Sequence, residues 1–215
     1  MNDMKMVTNL KPIVKDVRIQ KNRICQKDES SLIFILGESK EPMFEDDFVI
    51  RDITAFEKAL SNVDSIEEKE DRVIIKKKDT TIEWMKADKD IVGLSEKTPE
   101  DLDFTDAVKL ILTDEVKGKL IEAIDTNFSN IIAFYSDSGS IKCSVGGAEG
   151  KHKFVTTLTA SDKELKFKMQ GALLKEVLNS VSGYSEIFLK SGIPTKVVNT
   201  TKEYVTTIFV APYVE

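Results

Sequence analysis

Apolar residues along the chain follow two periods, one of three to four residues that marks amphipathic helices and one of two that marks half-buried strands. Four stretches carry the helical period. The first runs from about Asp3 to Val17, with Met6, Leu10, Val14 and Val17 on one face, and Pro12 is expected to kink or shorten it. The second follows Asp52, a good N-cap, and presents Ile53, Phe56, Leu60 and Val63. The third begins at the capping pair Thr113 and Asp114 and carries Val116, Leu120 and Ile124; the fourth, about Gln170 to Val181, carries Leu173, Leu174, Val177, Leu178 and Val181. Between them the period falls to two. Strands are expected at Asp47 to Ile50, Arg72 to Lys76, Thr81 to Met85, Ile131 to Tyr135, Ser140 to Val145, Phe154 to Thr159, Glu164 to Met169, Ser185 to Leu189 and Glu203 to Val210. The stretch Gln20 to Glu45 yields no clear element.

The order of elements repeats. Asp47 to Ile50, a helix, Ser65-Ile66-Glu67 and a strand ending in Thr80 to Trp84 are matched by Lys166 to Met169, a helix, Ser185 to Phe188 and a strand containing Val205 to Phe209. Leu60 and Val63 correspond to Leu178 and Val181 at one common offset of 118 residues. Two tandem copies of one α+β fold are implied, with domains at 1–90 and 106–215. The intervening segment 91–105, which includes Gly93, Pro99 and several acidic residues, reads as an exposed connector.

Composition narrows the chemistry. The 215 residues are 41% hydrophobic and 32% charged, and 31 Lys plus Arg against 37 Asp plus Glu leave a net charge of -6. No apolar run approaches the ~18 residues that span a bilayer, and the Met1 start lacks the order of a signal peptide, so no membrane association and a cytoplasmic location are expected. Cys25 and Cys143 are far apart, and the single His152 has no partner at metal-ligand spacing. Gly146, Gly147 and Gly150 before Lys151 fall one residue short of a phosphate loop, and His152 stands where Ser or Thr would hold magnesium, so a turn between strands is the better reading. A hydrolase using Asp46 with Asp47, or Asp101 with Asp103, is the enzymatic alternative, although carboxylates in charged runs are usually solvated. No catalytic residue, metal or cofactor is assigned.

Two segments carry a family resemblance. The ending Thr206-Thr207-Ile208-Phe209-Val210-Ala211-Pro212-Tyr213-Val214-Glu215 is similar to the APxxE terminus of the eukaryotic and archaeal clamp, proliferating cell nuclear antigen (PCNA). Asp79-Thr80-Thr81-Ile82-Glu83-Trp84-Met85-Lys86-Ala87-Asp88 resembles the strand leading into the interdomain connector, most of all in the T-even phage clamps. The chain thus resembles the DNA sliding clamp family. Being shorter than typical cellular members, it suggests a phage or virus source.

The resemblance implies a DNA clamp fold of two tandem domains, each with two helices on antiparallel sheets. It implies a ring-forming homotrimer with helices around duplex DNA, a replicative DNA polymerase as client and a clamp-loader ATPase. Helical wheels place Lys5, Lys11 and Lys15 on the exposed face of the first helix, Lys58 on the second, Lys119 on the third and Lys175 with Asn179 on the fourth. Glu115 and Glu122 share the third helix's exposed face, so its agreement is poor. The subunit boundary is expected where the edge Thr80 to Met85 pairs with the edge Ser140 to Val145, with Ile82, Trp84, Ile141 and Cys143 beside the ladder. A partner pocket is expected between connector residues Ile91, Val92 and Leu94 and the tail Val210, Ala211, Pro212 and Tyr213. A monomeric clamp-fold accessory subunit that holds DNA by direct charge is the alternative; it calls for a strongly basic face and a pI far above the 5.1 of this chain.

Overall fold

The computed structural model describes residues 4–88, 92, 99, 102–126, 128–147 and 152–213. The chain divides into two compact units, Met1–Glu96 with Lys202–Thr206, and Lys97–Thr201 with Thr207–Glu215. Most of the expected connector lies outside the described residues.

The first unit begins with helix α1, Met4–Thr8, far shorter than the expected helix to Val17. Proline explains the difference. Pro12 has no amide to donate, and its ring would strike the carbonyl four residues earlier, on Thr8, where α1 ends. The chain continues in tight turns, with the amides of Leu10 and Lys11 bonded to the carbonyls of Val7 and Thr8. Leu10, Val14 and Val17 are buried as their spacing suggests, but from turns and a strand.

Strands β1 (Val17–Gln20), β2 (Arg23–Lys27), β3 (Ile33–Ser39) and β4 (Asp47–Ile50) form an antiparallel run in the order β4-β1-β2-β3. Gly37 of β3 lets α1 lie close, since a Cβ there would meet the Met6 sulfur at 3.1 Å. Helix α2, Ile53–Ala59, starts at Asp52, whose carboxylate accepts the amide of Ala55 at 3.0 Å. It ends before Val63, which is half-buried beyond it. Strands β5 (Ser65–Glu68), β6 (Arg72–Lys77) and β7 (Thr80–Met85) form a second sheet, β5-β6-β7. Phe48, Phe56, Ile19, Ile50, Ile53 and Ile75 are fully buried, and Trp84 packs edge-on against Phe56 with ring centroids 5.1 Å apart.

The second unit contains β8 (Val108–Ile111), α3 (Asp114–Asp125), β9 (Ile131–Asp137), β10 (Ser140–Gly146) and β11 (Lys153–Ala160). These are followed by β12 (Lys166–Gln170), α4 (Gly171–Ser180), β13 (Ser185–Leu189), β14 (Thr195–Thr200) and β15 (Tyr204–Val210), whose residues to Thr206 group with the first unit. The sheets run β11-β10-β9-β12 and β15-β14-β13-β8. Thr113 caps α3 by accepting the Val116 amide at 3.2 Å. Helices α3 and α4 pack together and against the β9–β12 sheet. Leu120, Ile132, Phe134, Ile141, Cys143, Met169, Leu174 and Leu178 are buried there.

The repeat read twice from the sequence occurs more widely. One strand, a helix and three antiparallel strands recur as β4-α2-β5-β6-β7, β8-α3-β9-β10-β11 and β12-α4-β13-β14-β15, and α1-β1-β2-β3 has the same order from its helix onward.

The two N-caps differ in a way that stability measurements can resolve. Thr113 is extended, whereas Asp52 is left-handed at φ 62°. Thr113→Ala is expected to cost about 1 kcal/mol, the usual loss of one cap. Asp52→Ala is expected to cost about 2–3 kcal/mol, because alanine loses the cap and must also hold a left-handed backbone. Asp52→Gly should cost less than Asp52→Ala, since glycine removes the backbone penalty. Urea denaturation of the three variants checks the order, and equal losses for both alanine variants would contradict it.

Candidate functional site

The basic residues expected to meet DNA divide sharply between the units. In the first, Lys5, Lys15 and Lys58 are exposed, and none has a carboxylate partner among the described residues. Only Lys5 stands on α1; Lys11 and Lys15 follow it, so the wheel that placed them on one helical face does not apply. The fold nevertheless gathers them around α2. The Lys15 carbonyl accepts the amide of Ile53, the first residue of α2, at 2.9 Å, and Lys11 pairs with Glu57, the neighbour of Lys58, at 2.7 Å. Arg51 is also exposed there, 3.6 Å from Asp16, and was not anticipated.

In the second unit the expected cations are engaged. Lys119 pairs with Glu115 at 2.6 Å along α3, and Lys175 of α4 reaches Asp125 of α3 at 2.5 Å. Lys117 donates to the Val181 carbonyl at 3.2 Å. These lysines brace the helix pair, while Asn179 is exposed.

The expected edge at Ser140 to Val145 requires correction. β10 is paired on both sides, Cys143 opposing Phe134 of β9 and Thr156 of β11, and Ile141 and Cys143 are fully buried. Their alternation correctly marks an inward face, but it carries no information about ladder partners. The terminal strand is β11. β7 does end its sheet, with Ile82 and Trp84 half-buried toward the core and Met85 57% exposed. β7 and β11 have six and eight residues, whereas the terminal strands β4, β5 and β8 have four each and β12 has five. From Phe154 to Ala160, β11 bears no charge. Long uncharged edges are what isolated sheets avoid, because their free amides and carbonyls template further pairing.

The tail also divides. Val210 is fully buried and belongs to the core rather than to a docking surface. Ala211 and Pro212 are half-buried, and the Tyr213 amide donates to the Lys168 carbonyl of β12 at 2.8 Å while its side chain remains 41% exposed. Pro212 and Tyr213 border a cleft of about 890 Å³ on the β9–β12 sheet, with Tyr135, Lys153, Lys166 and Lys168 around it. The alternation of Lys166 and Lys168 with Phe167 and Met169 was a visible signal for that cationic face. Val92 is half-buried; Ile91 and Leu94 lie outside the described residues.

The acidic pairs are occupied in other ways. Asp47 accepts from Arg18 at 2.8 Å. Hydrogen bonds from the Thr105 hydroxyl and amide, reinforced by Lys190, hold the Asp103 carboxyl down to about 2, which makes it a fixed anion rather than a proton donor. Asp101 lies outside the described residues. His152 sits beside Phe128, ring centroids 5.4 Å apart, between the end of β10 and the start of β11. Among the described residues no group of three His, Cys, Asp or Glu could hold a metal, and no helix is long and apolar enough to cross a membrane.

No protein-family model and no curated protein matches the chain. Solved structures do. The PCNA of Entamoeba histolytica superposes with a TM-score of 0.76 at 13% identity, covering 98% of this chain and 95% of that one. A. fulgidus PCNA, solved with the C-terminal region of FEN-1, gives 0.74 at 17% identity over 99% and 95%. The PCNA2–PCNA3 complex of Sulfolobus tokodaii gives 0.71 at 17% over 100% and 97%. The chain therefore has the α+β fold of the PCNA sliding clamps along its whole length.

Burial pushes the Cys143 thiol up to about 12. Cys143 should stay unreactive toward Ellman's reagent at pH 8 in the native protein and react only on unfolding. Mass mapping of the labelled peptides checks this. Rapid native labelling of Cys143 would return β10 to an open edge.

Proposed function

We propose that the chain is one subunit of a sliding clamp, a homotrimeric ring that encircles duplex DNA and tethers a replicative polymerase. The observation that carries this reading is the likeness to PCNA structures over 98–100% of the chain, whose own strand-and-helix unit recurs from end to end. Domains 1–90 and 106–215 joined by the connector 91–105 make up the subunit, and a clamp-loader ATPase would open and close the ring.

Two unsatisfied features of the chain suit that role. β7 of one subunit and β11 of the next are long terminal strands, and their head-to-tail pairing would close a ring while leaving no long edge open. Ile82, Trp84, Met85 and Val155 are then the side chains beside the new ladder. The exposed lysines around α2 supply weak attraction to phosphates without reading bases. Retention comes from topology, so tight binding is not needed and would hinder sliding. A net charge of -6 argues against the alternative in which a monomer holds DNA by charge alone.

Partner proteins would dock at the cleft beside Pro212 and Tyr213. The A. fulgidus clamp was solved with the C-terminal region of a partner bound, which supports peptide docking as a property of this fold.

The division of lysines sets the test. For Lys15→Glu combined with Lys58→Glu, the log–log dependence of duplex binding on salt should flatten by up to about six in the trimer, near one for each of the two lysines in each of the three subunits. The same reversal at Lys119 and Lys175 should change it less, because those lysines are already paired. Salt titrations of duplex binding, with the mass of each variant checked in solution, decide it. An unchanged slope for the first pair would remove α2 from the DNA-facing surface.

A further inference from the structure

We infer that Asp16 is the counterion that withholds Arg51 from DNA and so limits how tightly the surface around α2 grips a duplex. The inference rests on the DNA-facing reading of α2 above and adds the residue that sets the strength of that contact. Strand register builds the pair. β1 and β4 run antiparallel with Val17 opposite Ile50 and Arg18 opposite Val49. Carried one residue past the last pair, the same register sets Asp16 across from Arg51, where the chain leaves β4 for α2. The Asp16 carboxylate lies 3.6 Å from Nε of Arg51, beyond hydrogen-bond length, so charge rather than a directed bond joins them. Asp16 itself is held firmly. Its carbonyl accepts the side-chain amide of buried Gln26 at 3.1 Å, and the Gln26 oxygen accepts the Arg18 amide at 3.0 Å. Gln26 thereby extends with its side chain a β1–β2 ladder whose backbone pairs stop at Ile19 and Ile24. From the α2 side, one Asp16 carboxylate oxygen accepts the Asp52 amide at 3.0 Å.

The charge of Asp16 is what its position alone does not account for. An asparagine or serine oxygen would serve the Asp52 amide as well, whereas a carboxylate adds a negative charge to the surface that carries Lys11, Lys15, Arg51 and Lys58. The Asp16 side chain is 23% exposed and that of Arg51 59%, so the anion is set back and the cation stands toward solvent. Among these cations Arg51 is the one best suited to hold phosphate. Its planar guanidinium can donate two parallel hydrogen bonds, where a lysine offers a point charge. Such a grip, repeated in every subunit, would oppose sliding. With Asp16 beside it, Arg51 must give up one anion to take another, and the salt ion that the phosphate releases is taken up again by Asp16. Arg51 is thereby a weaker phosphate ligand than the unpaired Lys15 and Lys58.

The test is duplex binding by the full chain, followed by fluorescence anisotropy of a labelled duplex of mixed sequence across a range of salt. Asp16→Asn keeps an oxygen for the Asp52 amide and removes the charge. It should tighten binding about tenfold at ~0.1 M salt, with three arginines freed in the trimer, and steepen the log–log salt dependence by up to about three. In the Arg51→Gln background the same substitution should give almost none of that gain, a non-additivity that a purely structural role of Asp16 would not produce. Arg51→Gln alone should flatten the salt dependence less than Lys58→Gln does. That comparison stands whether or not Asp16→Asn folds, which urea denaturation reports. Weaker or unchanged binding by folded Asp16→Asn would overturn the inference, as would a larger loss from Arg51→Gln than from Lys58→Gln. A tightening that persists undiminished without Arg51 would overturn it too, since Asp16 would then act by plain repulsion of phosphate. In each of these cases a flatter salt dependence in Lys58→Gln leaves the DNA-facing reading of α2 standing. If Lys58→Gln changes nothing, and Lys15→Glu with Lys58→Glu changes nothing, that reading fails and the inference with it.

Discussion

Backbone hydrogen bonding at sheet edges is the constraint on which the rest of this structure depends. Every strand residue brings a donor and an acceptor, and a sheet that ends in solvent leaves one side of its last strand to water. Three of the six terminal strands, β4, β5 and β8, answer that cost by being only four residues long. β12 answers it differently, since the tail returns along it and Tyr213 donates to the Lys168 carbonyl. β7 and β11 have no such cover among the described residues, and beyond its first residue, Lys153, β11 lacks the charges that discourage pairing. The same tail segment that protects β12 also places Pro212 and Tyr213 at the cleft. Edge protection and the proposed partner docking thus share one short stretch of chain.

Charge is distributed with equal economy. The proposed duplex-encircling role needs cations that attract phosphate without gripping it, and an acidic surface elsewhere would limit unspecific contact. Free lysines around α2, paired lysines on α3 and α4, and a separate cationic rim at the cleft give three environments to one residue type. The partners of each lysine, rather than the count of lysines, decide what it can do. Lys175, held by Asp125, already has the counterion that a phosphate would supply.

Much of the fold was legible in the sequence because one buried face leaves a clear period. Ser185–Leu189 and Asp47–Ile50 occur as expected, and both side-chain N-caps, Asp52 and Thr113, hold their helices. The region from Gln20 to Glu45 was not legible, for a physical reason. In β3 the run Ile33 to Leu36 is buried throughout, and in β2 Ile24, Cys25 and Gln26 are buried together, so alternation disappears. Gln26 is a polar residue in that core, bonded to the Arg18 amide and the Asp16 carbonyl, and nothing in its neighbours announces it. The first helix was over-extended because Leu10, Val14 and Val17 keep a helical spacing past Pro12 although they are buried from other conformations. The edge was misplaced from β11 to β10 because a side-chain period reports which face is buried and not which strand lies alongside. Val210 was placed in the pocket because a terminal apolar run does not show where the core stops.

The claim that the two long edges meet in a closed ring is tested most directly by the mass of the chain in solution. Sedimentation velocity at micromolar concentration should give one species near three times the subunit mass of 24.1 kDa. Val155→Asp, which sets a charge beside the proposed ladder, should shift it to the monomer while the protein remains folded. A monomer from the unaltered chain at these concentrations, or a trimer that is indifferent to Val155→Asp, would contradict the account.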